Sequence, residues 1–220
     1  MGIFSGARAE HYSTEARRYV QRGEWLMAIS FFRKGLEEAP NRATCHYNLG
    51  LCLMQAFQFE AVSGVEVITE AIKHFRNALL LEINYPAAWC LFGKATALLV
   101  QWARLAASAD EDRFEDLEKI AAAASMASVL LLEKKRGPVR EAAVDVLIEI
   151  AMRRGYTSAE NLARFQSAVD LARFQLDAAD WLFALLPWVL GMQRDEFFRR
   201  FKKAVKQASG ARAPCATAVL

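Results

Sequence analysis

The sequence predicts an all-α protein, and three observations carry that expectation. Ala, Leu, Glu, Arg and Lys abound, whereas Gly (11) and Pro (5) are few and fall mostly at plausible joints. Apolar residues recur at three- and four-residue spacing, as on one face of a helix. Sustained β-branched alternation is missing: the nearest short run, Val65, Val67 and Ile68, is interleaved with Glu66 and Thr69 and fits a helix equally well. One helical-hairpin pattern also recurs before about residue 107. It reads Tyr19, Ala28, Phe32, Gly35 and Pro40, then Leu49-Gly50, Ala71, Phe75 and Ala78, then Trp89, Phe92 and Gly93. Repetition at such a period means stacked helix pairs, which usually hold other proteins rather than do chemistry.

Taken in order, Met1 to Ala9 reads as a short tail. His11 to Arg22 places Tyr12, Ala16, Tyr19 and Val20 on one helix face, and Gly23 ends it. Trp25 to Glu38 is a second helix with Trp25, Ala28, Ile29, Phe32 and Leu36 inward, stopped by Pro40. Thr44 to Phe57 is a third and Val62 to Leu81 a fourth. Asn84, Tyr85 and Pro86 break the chain, and Ala87 to Leu105 follows. The acidic stretch SADEDRFED, Ser108 to Asp116, reads as a linker. Helices are then expected over Leu117 to Lys135, over Val139 to Arg154, and from Thr157 or Ser158 to Asp177 or beyond. A Pro187-interrupted apolar helix and Arg194 to Gln207 complete the set. Within 157–177 the run LARFQ recurs after nine residues, about half a rotation out of step, so its copies face opposite sides of one helix. A helix buried on two faces accounts for this, as does one sandwiched between two similar partners.

Composition bounds the function. The chain has 220 residues, 54% of them hydrophobic, enough for a sizeable core. A formal net charge of +3 does not by itself imply nucleic acid or anionic lipid. Four cysteines form no CxxC pair, and Cys45, Cys52 and Cys90 fall inside helical patterns, where they pack as small hydrophobes; that suits a reducing compartment. Met1 to Ser13 contains no signal-peptide core, Gly6 stands where myristoylation wants Ser or Thr, and Thr217 where prenylation wants Cys. The longest apolar run, Trp181 to Met192, is far below the roughly 20 residues of a spanning helix. A soluble, cytoplasmic protein is the expectation.

The recurring residues resemble the tetratricopeptide repeat, the roughly 34-residue helix-turn-helix unit. In the first unit Ala16, Tyr19, Ala28, Phe32, Gly35 and Pro40 fall at the family's intervals. In the second, HYNLG from His46 to Gly50 and EAIKHFRNALLLE, through Ala71, Phe75 and Ala78, match with about nine extra residues between them, around Gln58 to Val67. The third opens with PAAWCLFG, matching through Trp89, Phe92 and Gly93. The resemblance implies a right-handed α-solenoid of about three units. It divides the chain into a tail (1–8), a repeat domain (9–107), the acidic linker (108–116), a C-terminal helical extension or cap (117–208) and a tail (209–220).

In that family the inner face of the first helices binds a peptide or a partner helix. The resemblance maps this face onto Ser13, Thr14, Arg17 and Gln21, onto Tyr47, Asn48, Leu51 and Gln55, and onto Cys90, Leu91, Lys94 and Leu98. Asn48 matches the asparagine with which chaperone-tail-binding members hold peptide backbone. Ser13, Ala87 and Leu91 stand where their carboxylate clamp needs cations and amides, so a chaperone C-terminus is not the expected ligand. Arg17 and Lys94 beside Leu51, Leu91 and Leu98 suit a peptide or helix with apolar anchors and an acidic residue.

No Walker, GxGxxG, GxSxG or HExxH pattern appears, so an enzyme is not expected. Cys45, His46 and Cys52 lie near one another, but His46 points about 100° from Cys45 and a fourth ligand is lacking, so no metal or cofactor is expected. His74 reads as solvated or partly packed. At the C-terminal end, WLFALLPWVLGM (Trp181 to Met192) is apolar all round. Next to it Phe197, Phe201 and Val205 recur every four residues among Arg194, Arg199, Arg200, Lys202, Lys203 and Lys206. Either Phe197, Phe198 and Phe201 pack on the core with the cations in water, or Trp181, Phe183, Trp188, Phe197, Arg200 and Lys203 form a second contact surface. The leading expectation is a non-enzymatic adaptor or scaffold holding another protein. The alternative is a structural subunit of a larger assembly with 181–206 as its contact surface, seated on a membrane or on an acidic partner. A second copy of the chain is a further candidate partner, a membrane surface a lesser one, and nucleic acid is not expected.

Overall fold

The computed structural model describes residues 3–59, 61, 64–105, 111–132, 137–153 and 185–210. Among them the secondary structure is helical throughout: α1 (Ile3–Gln21), α2 (Trp25–Glu38), α3 (Ala43–Gln58), α4 (Val65–Leu81), α5 (Pro86–Leu105), α6 (Glu111–Leu132), α7 (Pro138–Arg153), α8 (Leu185–Leu190) and α9 (Arg194–Gly210). No described helix is long and apolar enough to cross a membrane. The helix expected from Thr157 onward, its LARFQ duplication and the tail after 210 lie outside the described residues.

The helix ends follow from local chemistry. The Gly23 N–H bonds to Val20 O and the Glu24 N–H to Tyr19 O, satisfying the last carbonyls of α1 through a turn that needs positive φ, here 73°. Gly191 (φ 67°) ends α8 in the same way. Pro86 and Pro138 are the first residues of α5 and α7, where a missing N–H costs no helical bond. Pro187 sits in the first turn of α8 for the same reason; the residues ahead of it, 181–184, are not described. The N-terminal tail is shorter than expected, since α1 already begins at Ile3.

Helices α1 and α2 form one hairpin and α3 and α4 the next, with α2 packed on α3 and α4 on α5. Small residues set how closely they approach. Gly35 lies against Ala9 and Tyr12 of α1, Gly50 against the Phe75 ring of α4, and Gly93 against Ser125 and the Ala121 carbonyl of α6. The extra residues of the second hairpin are shared between helices of 16 and 17 residues and the connection 59–64. Phe59 of that connection stacks on Trp25, with the ring planes 3° apart.

The acidic stretch is not a linker over most of its length. Helix α6 already includes Glu111, six residues before the expected Leu117, so Glu111 to Asp116 are helical, while 108–110 lie outside the described residues. Acidic residues at a helix N-terminus are favoured by the macrodipole. Nor does the core stop at residue 107. Trp89 and Phe92 of α5 share one buried cluster with Ile120, Met126 and Leu130 of α6, Leu147 of α7, Leu186 and Leu190 of α8, and Phe197 and Phe201 of α9. Helix α6 packs against α5, α7, α8 and α9 at once, which is why it is buried on nearly all sides from Ile120 to Leu131.

Trp89 joins the two halves. Its indole N–H donates to Ile83 O at 2.9 Å, and its ring meets Phe92, Phe197 and Phe201 edge-on. Phe197 stacks on Phe201 at 5.6 Å. Two arginines add polar ties across the same seam: Arg76 of α4 donates to Leu190 O and Arg200 of α9 to Leu80 O.

Candidate partner-binding face

Among the described residues helix α3 packs against α2, α4 and α5, and one stripe of it stays at least partly exposed. Along it Thr44 is exposed and Asn48, Leu51 and Gln55 are half-buried, at offsets of three and four residues. The Asn48 and Gln55 amides make no hydrogen bond among the described residues. Helix α5, in contact with α3, carries the corresponding stripe: half-buried Ala87, Leu91 and Leu98 with exposed Lys94 and Gln101. On α1, Thr14, Arg17 and Gln21 are exposed.

The structure removes several residues from the expected face. Ser13 is buried, its hydroxyl 2.9 Å from Ala9 O and 3.2 Å from Cys45 Sγ. Cys90 is buried too. Tyr47 is half-buried and packs along the core's edge: its ring lies 4.9 Å from Tyr85 and 6.2 Å from Phe75, and burial pushes its hydroxyl up to about 12. Arg17 is already paired with Glu10 at 3.1 Å, and Glu10 also takes Arg42 of the α2–α3 turn at 2.7 Å. The Arg42 hydrogen bond holds the Glu10 carboxyl below the ordinary carboxylate range.

Helix α7 adds to this side what the sequence did not indicate. It packs on α5 as well as α6. Burial raises the Cys90 thiol to about 11; the charge of Lys94 acts against this and that of Asp145 of α7 with it. Asp145 and Glu149 are exposed one turn apart on α7.

The second expected surface is divided by the structure. Phe197 is 0% exposed and belongs to the core, so it is withdrawn from any contact surface. Arg200 is half-buried and engaged by Leu80 O and Glu196. Trp188, by contrast, is 77% exposed, and Arg199, Lys203 and Lys206 line the outer side of α9. Trp181 and Phe183 lie outside the described residues. The helix is amphipathic as its spacing predicts, with Phe197, Phe201, Ala204 and Val205 inward.

Cys45, Cys52 and Cys90 are buried free thiols, as expected of small hydrophobes; burial raises Cys52 to about 12. Among the described residues, no group of three or more His, Cys, Asp or Glu side chains is placed to hold a metal ion. His46 and His74 do meet, through ring nitrogens 2.9 Å apart. They are 28 residues apart in the chain, and no short-range pattern signals the pair. No protein-family model matches the chain, and no curated protein matches it.

Proposed function

We propose that the protein is a non-enzymatic adaptor, in which tetratricopeptide-like hairpins present a face on α3 and α5 to a peptide or helix of another protein. The observation that carries this reading is the paired uncovered stripe. Asn48, Leu51 and Gln55 on α3 and Leu91, Lys94 and Leu98 on α5 stay at least partly exposed on helices packed on their other sides. Leu51, Leu91 and Leu98 would bury apolar anchors, the free amides of Asn48 and Gln55 would hydrogen-bond backbone, and Lys94 would meet an acidic side chain. The stacking that supports it is the recurrence of one spacing: Ala28, Phe32 and Gly35 on α2, Ala71, Phe75 and Ala78 on α4, and Ala121, Ser125 and Ser128 on α6. On this reading α6 closes the third hairpin, α7 begins a fourth, and α8 and α9 cover the opposite side over α4 and α6.

The test is quantitative affinity capture from the native host with the wild-type chain and a Leu51→Glu/Leu91→Glu double variant. The variant should keep the wild-type circular dichroism spectrum and lose captured partners by about tenfold or more, the equivalent of about 1.4 kcal/mol. Partners retained at wild-type yield would remove the face from consideration.

A second reading rests on Trp188, 77% exposed next to the cations of α9. There the protein is a subunit of a larger assembly, and Trp188 with Arg199, Lys203 and Lys206 docks on an anionic surface. Co-sedimentation with phosphatidylserine vesicles, lost in Trp188→Ala, would support it, and a chain left in the supernatant would exclude the membrane form.

A further inference from the structure

The His46 and His74 rings are stacked, with centroids 5.2 Å apart and planes inclined by 29°. Their Nδ1 atoms lie 2.9 Å from each other. The outer nitrogens each have a partner as well: His46 Nε2 is 2.9 Å from Pro40 O, and His74 Nε2 is 3.8 Å from Glu70 Oε1. These three nitrogen contacts fix how many protons the pair can hold. A carbonyl only accepts, so His46 Nε2 carries a hydrogen. In the neutral pair His46 Nδ1 is therefore bare and accepts from the Nδ1–H of His74. One added proton gives a second complete arrangement: His46 donates from Nδ1 to His74, and His74 shifts its own hydrogen to Nε2, toward the Glu70 carboxylate. A further proton has no place, because two N–H groups would confront each other at 2.9 Å.

The surrounding charges reinforce this limit. Arg33 of α2 already donates to both Glu70 oxygens, at 2.7 and 2.9 Å. Lys73 of α4 and Arg33 both disfavour charge on His74. From the α2–α3 turn, Arg42 is spent on Glu10 of α1. Arg76 of α4 donates to Leu190 O of α8 and Arg200 of α9 to Leu80 O of α4, and Lys94 of α5 is exposed.

We propose that His46 and His74 form a proton-responsive clasp between the first two hairpins. Neutral or singly protonated, it ties the α2–α3 turn to α3 and α4; a second proton breaks it, so acidification loosens this junction. Burial acts in the same direction, lowering His46 below its ordinary value and His74 to about 4. The unfolded chain therefore binds more protons than the folded one between the ordinary histidine value and about pH 4. Stability is complete above that window and is lost as pH falls through it.

Two measurements on the full chain test this. Imidazole ¹⁵N spectra near pH 7.5 should show His46 as the Nε2–H tautomer and His74 as the Nδ1–H tautomer. Melting temperature should fall across the window in the wild type and fall less in His74→Asn, whose amide nitrogen can still donate to His46 but cannot titrate. The two slopes should differ by about one proton. Rings of residues 46 and 74 that both take up a proton at the ordinary histidine value overturn the proposal, and so do parallel slopes in the wild type and the variant. Should His74→Asn fail to fold, the wild-type spectra alone decide.

Discussion

Replacing Gly93 by Ala and Gly35 by Ala should move stability in opposite directions, although both glycines are buried within helices of the repeat. The gain in helix propensity is the same for both, about 0.8–1 kcal/mol. The surroundings differ. A Cβ at Gly35 would meet Ala9 O and Tyr12 Cβ at 3.6 Å and Ser13 Oγ at 3.7 Å, ordinary contact. At Gly93 it would come within 2.9 Å of the Ala121 carbonyl and 3.2 Å of Ser125 N, and closer still to Ser125 Oγ. Two of those three atoms are backbone of a helix held on four sides, so α5 and α6 must part. Overpacking of this kind costs about 1–3 kcal/mol, and more where backbone must shift. We expect Gly93→Ala to lose about 1–2 kcal/mol net and Gly35→Ala to gain about 0.5–1 kcal/mol. In a chain of this size that is a fall of about 2–8 °C against a rise of about 1–4 °C. Urea and thermal unfolding followed by circular dichroism would read both. A Gly93→Ala chain as stable as wild type would refute the close α5–α6 approach. A Gly35→Ala chain destabilised as much as Gly93→Ala would refute the claim that contact distance, rather than glycine itself, decides the sign.

Ser125 is fully buried and its hydroxyl has no hydrogen-bond partner among the described residues, so Ser125→Ala should stabilise by about 1 kcal/mol in urea titration. In the Gly93→Ala background the same change should restore only part of the loss, because the Ala121 carbonyl remains in the way. Phe197→Ala should cost about 3–5 kcal/mol in the same assay, as for a large ring in a filled core. Trp188→Ala, on an exposed side chain, should stay within about 0.5 kcal/mol of wild type; a large loss there would mean that Trp188 packs in the native state.

Much of the first half was legible because its information is local. Gly23 and Pro40 mark the ends of the first hairpin, and the spacing of Ala28, Phe32, Ala71 and Phe75 fixes which helix stripes turn inward. The observed α2, α3, α4 and α5 lie within one to three residues of the ranges read from the chain. The third hairpin was harder to read. Its second helix, α6, has no aromatic ring at Ser125 to set beside Phe32 of α2 and Phe75 of α4, and Glu111 to Asp116 look like a solvated linker in the sequence. Without the ring the pattern loses its strongest marker, and the acidic residues mimic a boundary. The clasp of His46 and His74 was illegible for another reason: neither residue is unusual on its own helix, and only the crossing of α3 and α4 brings the rings together. The candidate face was partly legible. The tetratricopeptide resemblance mapped Tyr47, Asn48, Leu51 and Gln55 onto one face, but it could not show that the Tyr47 ring packs against Tyr85.

From its residues alone the chain determined helices, their ends and the stripe each one buries, because these depend on backbone preferences and on neighbours three and four positions away. Only the tertiary structure decided that α6 is the centre of the molecule rather than the start of a separate region. Its run of Ala and Ser is narrow enough for α5, α7, α8 and α9 to close around it. A run of small residues permits close packing without saying which helices will use it, and here that was settled by the Trp89, Phe197 and Phe201 rings meeting across more than a hundred residues of chain.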